Sequence, residues 1–250
     1  MADDGAASLR AALAASEQRL AELQAAQEEF LRAVSHDLRA PLRHVTACGQ
    51  LAREVLQPEP GAAAQEALGY LATADRSARQ MGRMIDGLLE LSRIARARLN
   101  VAPVDVRAVV DEVRLQLEAA EPARAVVWQV DAQLPSVAGD GGWLRALWTH
   151  LLSNAWKFSR QRTPAHIAVT ASVAAGEASF EIRDDGAGFN PAQAGRLFGV
   201  FQRLHRESEF EGTGTGLAAA QAIARRHGGR IAIDGAPQQG CAVRLVLPVR

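Results

Sequence analysis

The sequence predicts an α+β chain in two parts: an N-terminal coiled coil and helical hairpin forming a dimeric four-helix bundle, followed by an α/β sandwich. Three observations point there. Apolar residues recur at heptad spacing through the first thirty or so positions. A second long helical pattern follows a break made of proline and glycine. From about Leu99 the texture changes to short Val- and Ile-rich runs alternating with helical stretches, which suits one sheet covered by helices on one face. The expected boundaries are 1–28 for the coiled coil, 29–98 for the hairpin and 99–250 for the sandwich.

Leu9, Leu13, Ser16, Leu20, Leu23, Gln27, Phe30 and Val34 follow alternating steps of four and three, so a helix here pairs with a copy of itself. The apolar positions then move to Leu38, Leu42 and Val45. Two steps of four in a row form a stutter, which locally unwinds a coiled coil and suits its widening into more helices. The helix is expected to reach about Leu56, where QPEPG (57–61) ends it. Leu68, Leu71, Ala78, Ile85, Leu88 and Ala95 mark one side of the next helix. A hairpin with a single apolar stripe needs a partner, and pairing two hairpins supplies one. Beyond it, VVWQVD (126–131), HIAVTASVA (166–174), SFEIRD (179–184), RIAID (230–234) and AVRLVLP (242–248) read as strands. Helices are expected near 105–120, 142–158 and 214–227.

Composition narrows the function classes. The 250 residues carry 28 basic and 28 acidic side chains, so a general electrostatic grip on nucleic acid or anionic lipid is not expected. Cys48 and Cys241 lie too far apart in sequence for a CxxC pair, which excludes a disulfide framework and a cysteine-based zinc site. No apolar run reaches the roughly 18 residues that a membrane span needs, and MADDGAASLR lacks an apolar signal core. A cytoplasmic protein without membrane insertion is therefore expected. Lys157 is the only lysine in the chain.

Four clusters carry possible chemistry. In FLRAVSHDLRAPL (30–42) the heptad register turns His36 to solvent, with Asp37 beside it to hold the ring or take its proton. Pro41 removes a helical hydrogen bond from the Asp37 carbonyl and is expected to kink the helix there. An ordinary surface histidine would fit the same pattern. In HLLSNAWKFS (150–159), His150, Asn154 and Lys157 share a helix face, where an amide oxygen and an ammonium suit Mg²⁺ and a phosphate, or simply solvent. RDDGAGF (183–189) ends a strand in Asp184, and Gly186 and Gly188 let a flat ligand approach the backbone, though a plain turn reads alike. GTGTGL (212–217) places Gly212, Gly214 and Gly216 before a helix whose bare N–H groups suit phosphate; a hinge is the alternative. It matches neither GxGxxG nor the P-loop pattern.

Together these segments resemble a two-component sensor histidine kinase over nearly the whole chain. SHDLRAPL is similar to that family's phospho-acceptor box, NAWKF to its N box and DDGAG to its first glycine box. LFGVFQRLH (197–205) is similar to its phenylalanine box and GTGTGL to its second glycine box, all in the family's order. NAWKFS, LFGVFQRLH and EFEGTGTGLA look especially like the transmitters of phytochrome-type kinases. The resemblance implies an ATP-dependent protein-histidine kinase with Mg²⁺. In it, His36 is autophosphorylated and Asp37 raises its nucleophilicity. Asp184 accepts from the adenine amino group, with Gly186 and Gly188 giving room. Asn154 ligates Mg²⁺, joined by His150, and Lys157 touches the phosphates. Gly212, Thr213, Gly214, Thr215, Gly216 and Leu217 cradle phosphate, Phe198 and Phe201 pack the lid over ATP, and Arg203 meets the γ-phosphate.

The implied partners are a second copy of the chain, the receiver domain of a response regulator, and a sensor that is either separate or upstream. Two positions depart from the family pattern. His150 stands where a second asparagine is common, and a neutral imidazole there ligates the metal or holds a water. Ala40 stands where a Thr or Asn often orients water, so phosphatase activity is expected to be weak or absent. These departures also fit a catalytically weak scaffold that docks response regulators. An ATPase or serine kinase on the same nucleotide fold would have no use for the exposed His36.

Overall fold

Residues 33–56 form a first helix, α1, which runs without interruption through Pro41; α2 spans Ala62–Arg96. The computed structural model describes residues 16, 18, 19, 33–58, 61–206 and 209–249. Most of the heptad (Leu9, Leu13, Leu20, Leu23, Gln27 and Phe30) lies outside the described residues. The chain divides into two compact units, with the boundary between Ser92 and Arg93.

In the helical unit, Ala64, Ala78 and Ile85 are buried on α2. Their separations are multiples of seven, which puts them on one stripe of the helix. Arg39 on α1 donates to Asp86 on α2 at 2.6 Å, an exposed tie between the two helices. Such a surface pair is worth at most about 1 kcal/mol. Large apolar side chains stay uncovered on both helices: Leu38, Val45 and Val55 on α1, Tyr70 and Met81 on α2.

The second unit carries two sheets. β1 (Val101–Val104) and β3 (Val137–Asp140) pair antiparallel, Val101 opposite Asp140. The main sheet has order β2-β4-β5-β7-β6, from β2 (Val126–Val130), β4 (Ala165–Ala174), β5 (Glu177–Asp184), β6 (Arg230–Gly235) and β7 (Cys241–Pro248). Only the β2–β4 pair is parallel. The five expected strands are thus present, joined by the short β1–β3 pair. The expected helices are α3 (Val106–Ala120), α4 (Gly141–Phe158) and α5 (Gly216–Arg226).

The starts of α3 and α4 are set by aspartate caps. Asp105 caps α3 by accepting from the Ala108 N–H at 3.1 Å. Asp140 caps α4 by accepting from Gly142 and Trp143, and also from the Asn100 N–H at 3.0 Å. These three backbone donors hold the Asp140 carboxyl below its ordinary range,. The His227 ring ties the same corner to the end of α5: its Nε2 accepts from the Asp140 N–H at 3.0 Å, while Nδ1 donates to the Ile223 carbonyl at 2.8 Å.

The core follows the two expected periodicities. Leu144, Leu147, Trp148, Leu151, Leu152 and Ala155 form the buried stripe of α4. Ala178, Phe180 and Ile182 of β5, with Val243, Leu245 and Leu247 of β7, alternate toward it,. Trp148 meets Phe180 edge-on with centroids 5.4 Å apart. The opposite face of the sheet is charged, with Glu181 between Arg183 and Arg244 and Arg230 gripping Glu177 with two 2.7 Å bonds. That face needs no cover, so α4 and α5 are set on the other, and the cavity opens beside them.

Candidate active site

Because Leu151 and Ala155 face the sheet, the neighbouring positions His150, Asn154 and Lys157 are carried to the edge of α4, where they line a cavity of about 300 Å³. The end of β5 supplies Asp184, the loop after it Gly188, and β7 supplies Cys241 and Val243. Arg203 and the run Gly212–Leu217 close the remaining side. This volume sits at the small end of ligand pockets, and its lining is mostly apolar with a few convergent polar groups.

Asp184 is 7% exposed. Burial pushes its carboxyl up to about 7, and the charge of Asp185 adds to the rise; the backbone donors of Gly186, at 2.9 Å, and Cys241 pull the other way,. A carboxylate at the floor of an apolar cavity, each of whose oxygens can accept more than one bond, suits an amino group on a flat heterocycle. The adjoining Cys241 thiol is driven well above its ordinary range by burial and by the carboxylates of Asp184 and Asp234, so it is a neutral wall.

The glycines of this loop are fixed by the protein's own backbone. A Cβ on Gly186 would stand 2.3 Å from the Phe158 carbonyl oxygen, and one on Gly188, at φ +60°, 1.9 Å from that of Ala236. Gly188 lines the cavity and Gly186 does not. Its missing side chain lets the loop lie against the end of α4, where the Ala187 N–H bonds the Phe158 carbonyl at 3.0 Å.

On the opposite wall Lys157 Nζ donates to Asn154 Oδ1 at 3.2 Å and lies 4.3 Å over the Phe158 ring. Burial and the positive charge of Arg203 lower its pKa to about 8, with Glu211 opposing. A partly desolvated ammonium beside an amide oxygen is ready for an anionic group. The glycine-rich run continues the theme. Thr213 and Thr215 hydroxyls bond each other at 2.7 Å, and Thr215, at the start of α5, makes no side-chain cap. The first N–H groups of α5 thus lack a side-chain acceptor from Thr215, in a place where phosphate oxygens bind well. Arg203 Nη2 donates to the Phe210 carbonyl at 2.6 Å.

Phe198 and Phe201 do not line the cavity. Phe201 is 36% exposed at φ +62°, its N–H held by the Gly214 carbonyl at 3.0 Å. The aromatic residues that do line the cavity are Phe158, Phe189, Phe210 and His205, and the rings of Phe158, Phe210 and His205 lie 5.0–5.5 Å apart. Sequence reasoning does not single out Phe158 or His205, although both stand inside the motifs it recognises. His150 does border the start of α5, its Nδ1 close to Gly216.

In the helical unit His36 and Asp37 are both exposed, side chains 82% and 80% accessible, with His36 Nδ1 3.2 Å from Asp37 Oδ1. A carboxylate accepts, so the ring proton sits on Nδ1 and the Nε2 lone pair faces solvent.

A helical hairpin presenting such a histidine, followed by a sandwich with a buried aspartate and a cationic wall, defines a phospho-acceptor module joined to a nucleotide-binding module. Family models agree in the same order: the His Kinase A (phospho-acceptor) domain matches residues 26–97, and the histidine kinase-, DNA gyrase B- and HSP90-like ATPase matches 139–250. Cyanobacterial phytochrome A of Nostoc is 30% identical over 89% of this chain and 28% of its own length. The adaptive-response sensory kinase SasA of Rippkaea orientalis is 30% identical over 88% of this chain and 57% of its own. The chain therefore spans only part of the length of these curated relatives. Full-length ShkA, solved in complex with AMPPNP, superposes with TM-score 0.61 at 27% identity, covering 88% of this chain and 45% of ShkA. The chain belongs to the sensor histidine kinases and is their transmitter module.

Proposed function

We infer that this chain is an ATP-dependent protein-histidine kinase that phosphorylates His36 and passes the phosphoryl group to an aspartate on a response-regulator receiver domain. The observation that carries this reading is the pairing of chemistries. One unit holds an exposed nucleophile with its tautomer set by Asp37, and the other a cavity with an amine-accepting acid at one end and cations at the other.

In the transfer, His36 Nε2 attacks the γ-phosphorus, an N–P bond forms, the bond to the β–γ bridging oxygen breaks, and ADP leaves. The Nδ1 proton stays on the ring or passes to Asp37, whose charge balances the cation that forms. Asp184 orients the adenine amino group. Lys157, Arg203 and the N-terminus of α5 neutralise the phosphates, and Thr213 and Thr215 are poised to exchange their mutual bond for phosphate oxygens. No group of three or more His, Cys, Asp or Glu able to hold a metal occurs among the described residues. Asn154, with His150 on the same helix, would hold Mg²⁺ through its amide oxygen. The ion would supply charge neutralisation there.

The active form is a homodimer, because Leu38, Val45, Val55 and Met81 leave the hairpin with apolar side chains that a second hairpin would cover,. The domain limits 1–28, 29–98 and 99–250 describe a signalling coiled coil, a dimerisation and phosphotransfer domain and a catalytic domain. No helix among the described residues is long and apolar enough to cross a membrane, which supports placement in the cytoplasm, with input from a separate or upstream sensor.

Peptide mapping after incubation with ATP and Mg²⁺ tests the reading. The phosphoryl group belongs on the tryptic peptide containing His36, and a receiver domain added afterwards removes it. ATP binding with no phosphorylated peptide would favour the scaffold that only docks regulators.

A further inference from the structure

His205 has no part in the scheme above, yet it lines the cavity between its two halves. Its ring stands beside Phe158, at the end of α4, and Phe210, with centroids 5.5 and 5.1 Å away. Its Nε2 is 2.8 Å from the carbonyl oxygen of Gly188. A carbonyl only accepts, so Nε2 carries the proton and donates. Nδ1 faces Glu209 Oε2 at 3.9 Å.

The acceptor is held as firmly as the donor. Gly188 adopts φ +60° and is pinned against the Ala236 and Gly240 carbonyls, and the turn behind it is tied by the Gln238 N–H to the Ala187 carbonyl at 2.7 Å. The left-handed conformation of Gly188 therefore aims its carbonyl at a fixed spot beside the cavity. The donor, by contrast, belongs to an irregular stretch, residues 197–206, with no helix or strand beyond the end of a short 3₁₀ turn.

We propose that His205 is a positioning residue, a latch whose hydrogen bond to the Gly188 carbonyl holds the 197–206 segment, and Arg203 with it, against the floor of the nucleotide cavity. The consequence for nucleotide retention rests on the histidine-kinase reading; the latch itself does not. A neutral hydrogen bond contributes roughly 1 kcal/mol net, about a fivefold change in an opening equilibrium. Phe158 meets the ring at a tilt and Phe210 edge-on, contacts that need no N–H, so shape and donor can be separated by substitution.

The test compares His205→Phe, which keeps an aromatic ring without a donor, with His205→Gln, which keeps an N–H donor without the ring. In nucleotide-free protein, tryptic cleavage after Arg203 or Arg206 is expected to be about fivefold faster in His205→Phe and close to wild type in His205→Gln. With a fluorescent ATP analogue, dissociation is expected to accelerate in the same order and by a similar factor. Equal cleavage of wild type and His205→Phe would overturn the latch, as would His205→Gln behaving like His205→Phe. Failure of the wild type to bind the analogue, with the cleavage pattern intact, would instead sink the nucleotide reading and leave the latch standing.

Discussion

Replacing Asp184 by asparagine should make the nucleotide-free protein more stable while ending its recognition of adenine. The carboxyl's ordinary pKa is 3.8, and burial raises it to about 7. Between those values the folded chain keeps a proton that the unfolded chain has released. Stability is therefore lost as pH rises from about 4 to 7 and stays lower above that. The difference corresponds to at most ~4 kcal/mol. The substituted side chain would retain the oxygen that accepts from Gly186 but add an amide N–H₂ with no assured acceptor, a cost of roughly 1–3 kcal/mol. The net gain is thus about 1–3 kcal/mol at pH 8 and close to zero at pH 5. At 2–4 °C per kcal/mol for a domain of this size, Asp184→Asn should melt about 2–12 °C above wild type at pH 8. Thermal melts at both pH values, with titration of a fluorescent ATP analogue, measure the two halves of the effect. A variant that melts below wild type at pH 8, or that gains equally at pH 5, refutes the buried-charge argument; undiminished affinity for the analogue refutes the adenine contact.

Four further outcomes are expected. With Lys157 at about 8, triphosphate affinity should fall as pH rises through 8, by up to about tenfold per pH unit, with proton uptake on binding; isothermal titration in two buffers should show this, and Lys157→Gln should flatten the profile. Gly188→Ala adds a backbone collision to a left-handed φ and should cost roughly 3 kcal/mol or more in denaturant unfolding. Gly176→Ala, at φ +77° with nothing within 4 Å, should cost only about 1 kcal/mol. Because Ala40 offers no polar atom to orient water, a phosphorylated receiver domain should lose its phosphate no faster with this protein present than without it.

Much of this architecture was legible because burial here follows simple periodicities. The α4 stripe and the alternation along β5 and β7 are visible in the residue string, and so are the Pro- and Gly-rich break before α2 and the motifs around Asp184 and Gly212. The β1–β3 pair was not, because VAPV and VAGD are four-residue strands holding Pro103 and Gly139, too short for a period to show. Which aromatic side chains line the cavity was also hidden. Phe201 sits in an irregular segment where a single positive φ turns it outward, while Phe158 is brought in by the last turn of α4. Gly186 shows a further limit: a sequence reveals that a side chain is missing, but not whether ligand or backbone takes the space. His205 escapes notice because its bond is to a carbonyl, and carbonyl directions depend on φ and ψ at Gly188 rather than on residue type.

The most direct measurement is incubation of wild type, His36→Gln and Asp184→Asn with γ-labelled ATP and Mg²⁺, followed by acid and alkali treatment of the denatured protein. With His36 as acceptor and Asp184 in the nucleotide site, label appears on the wild type alone, survives alkali and is lost in acid. Label that persists on His36→Gln, or that resists acid, would contradict the assignment.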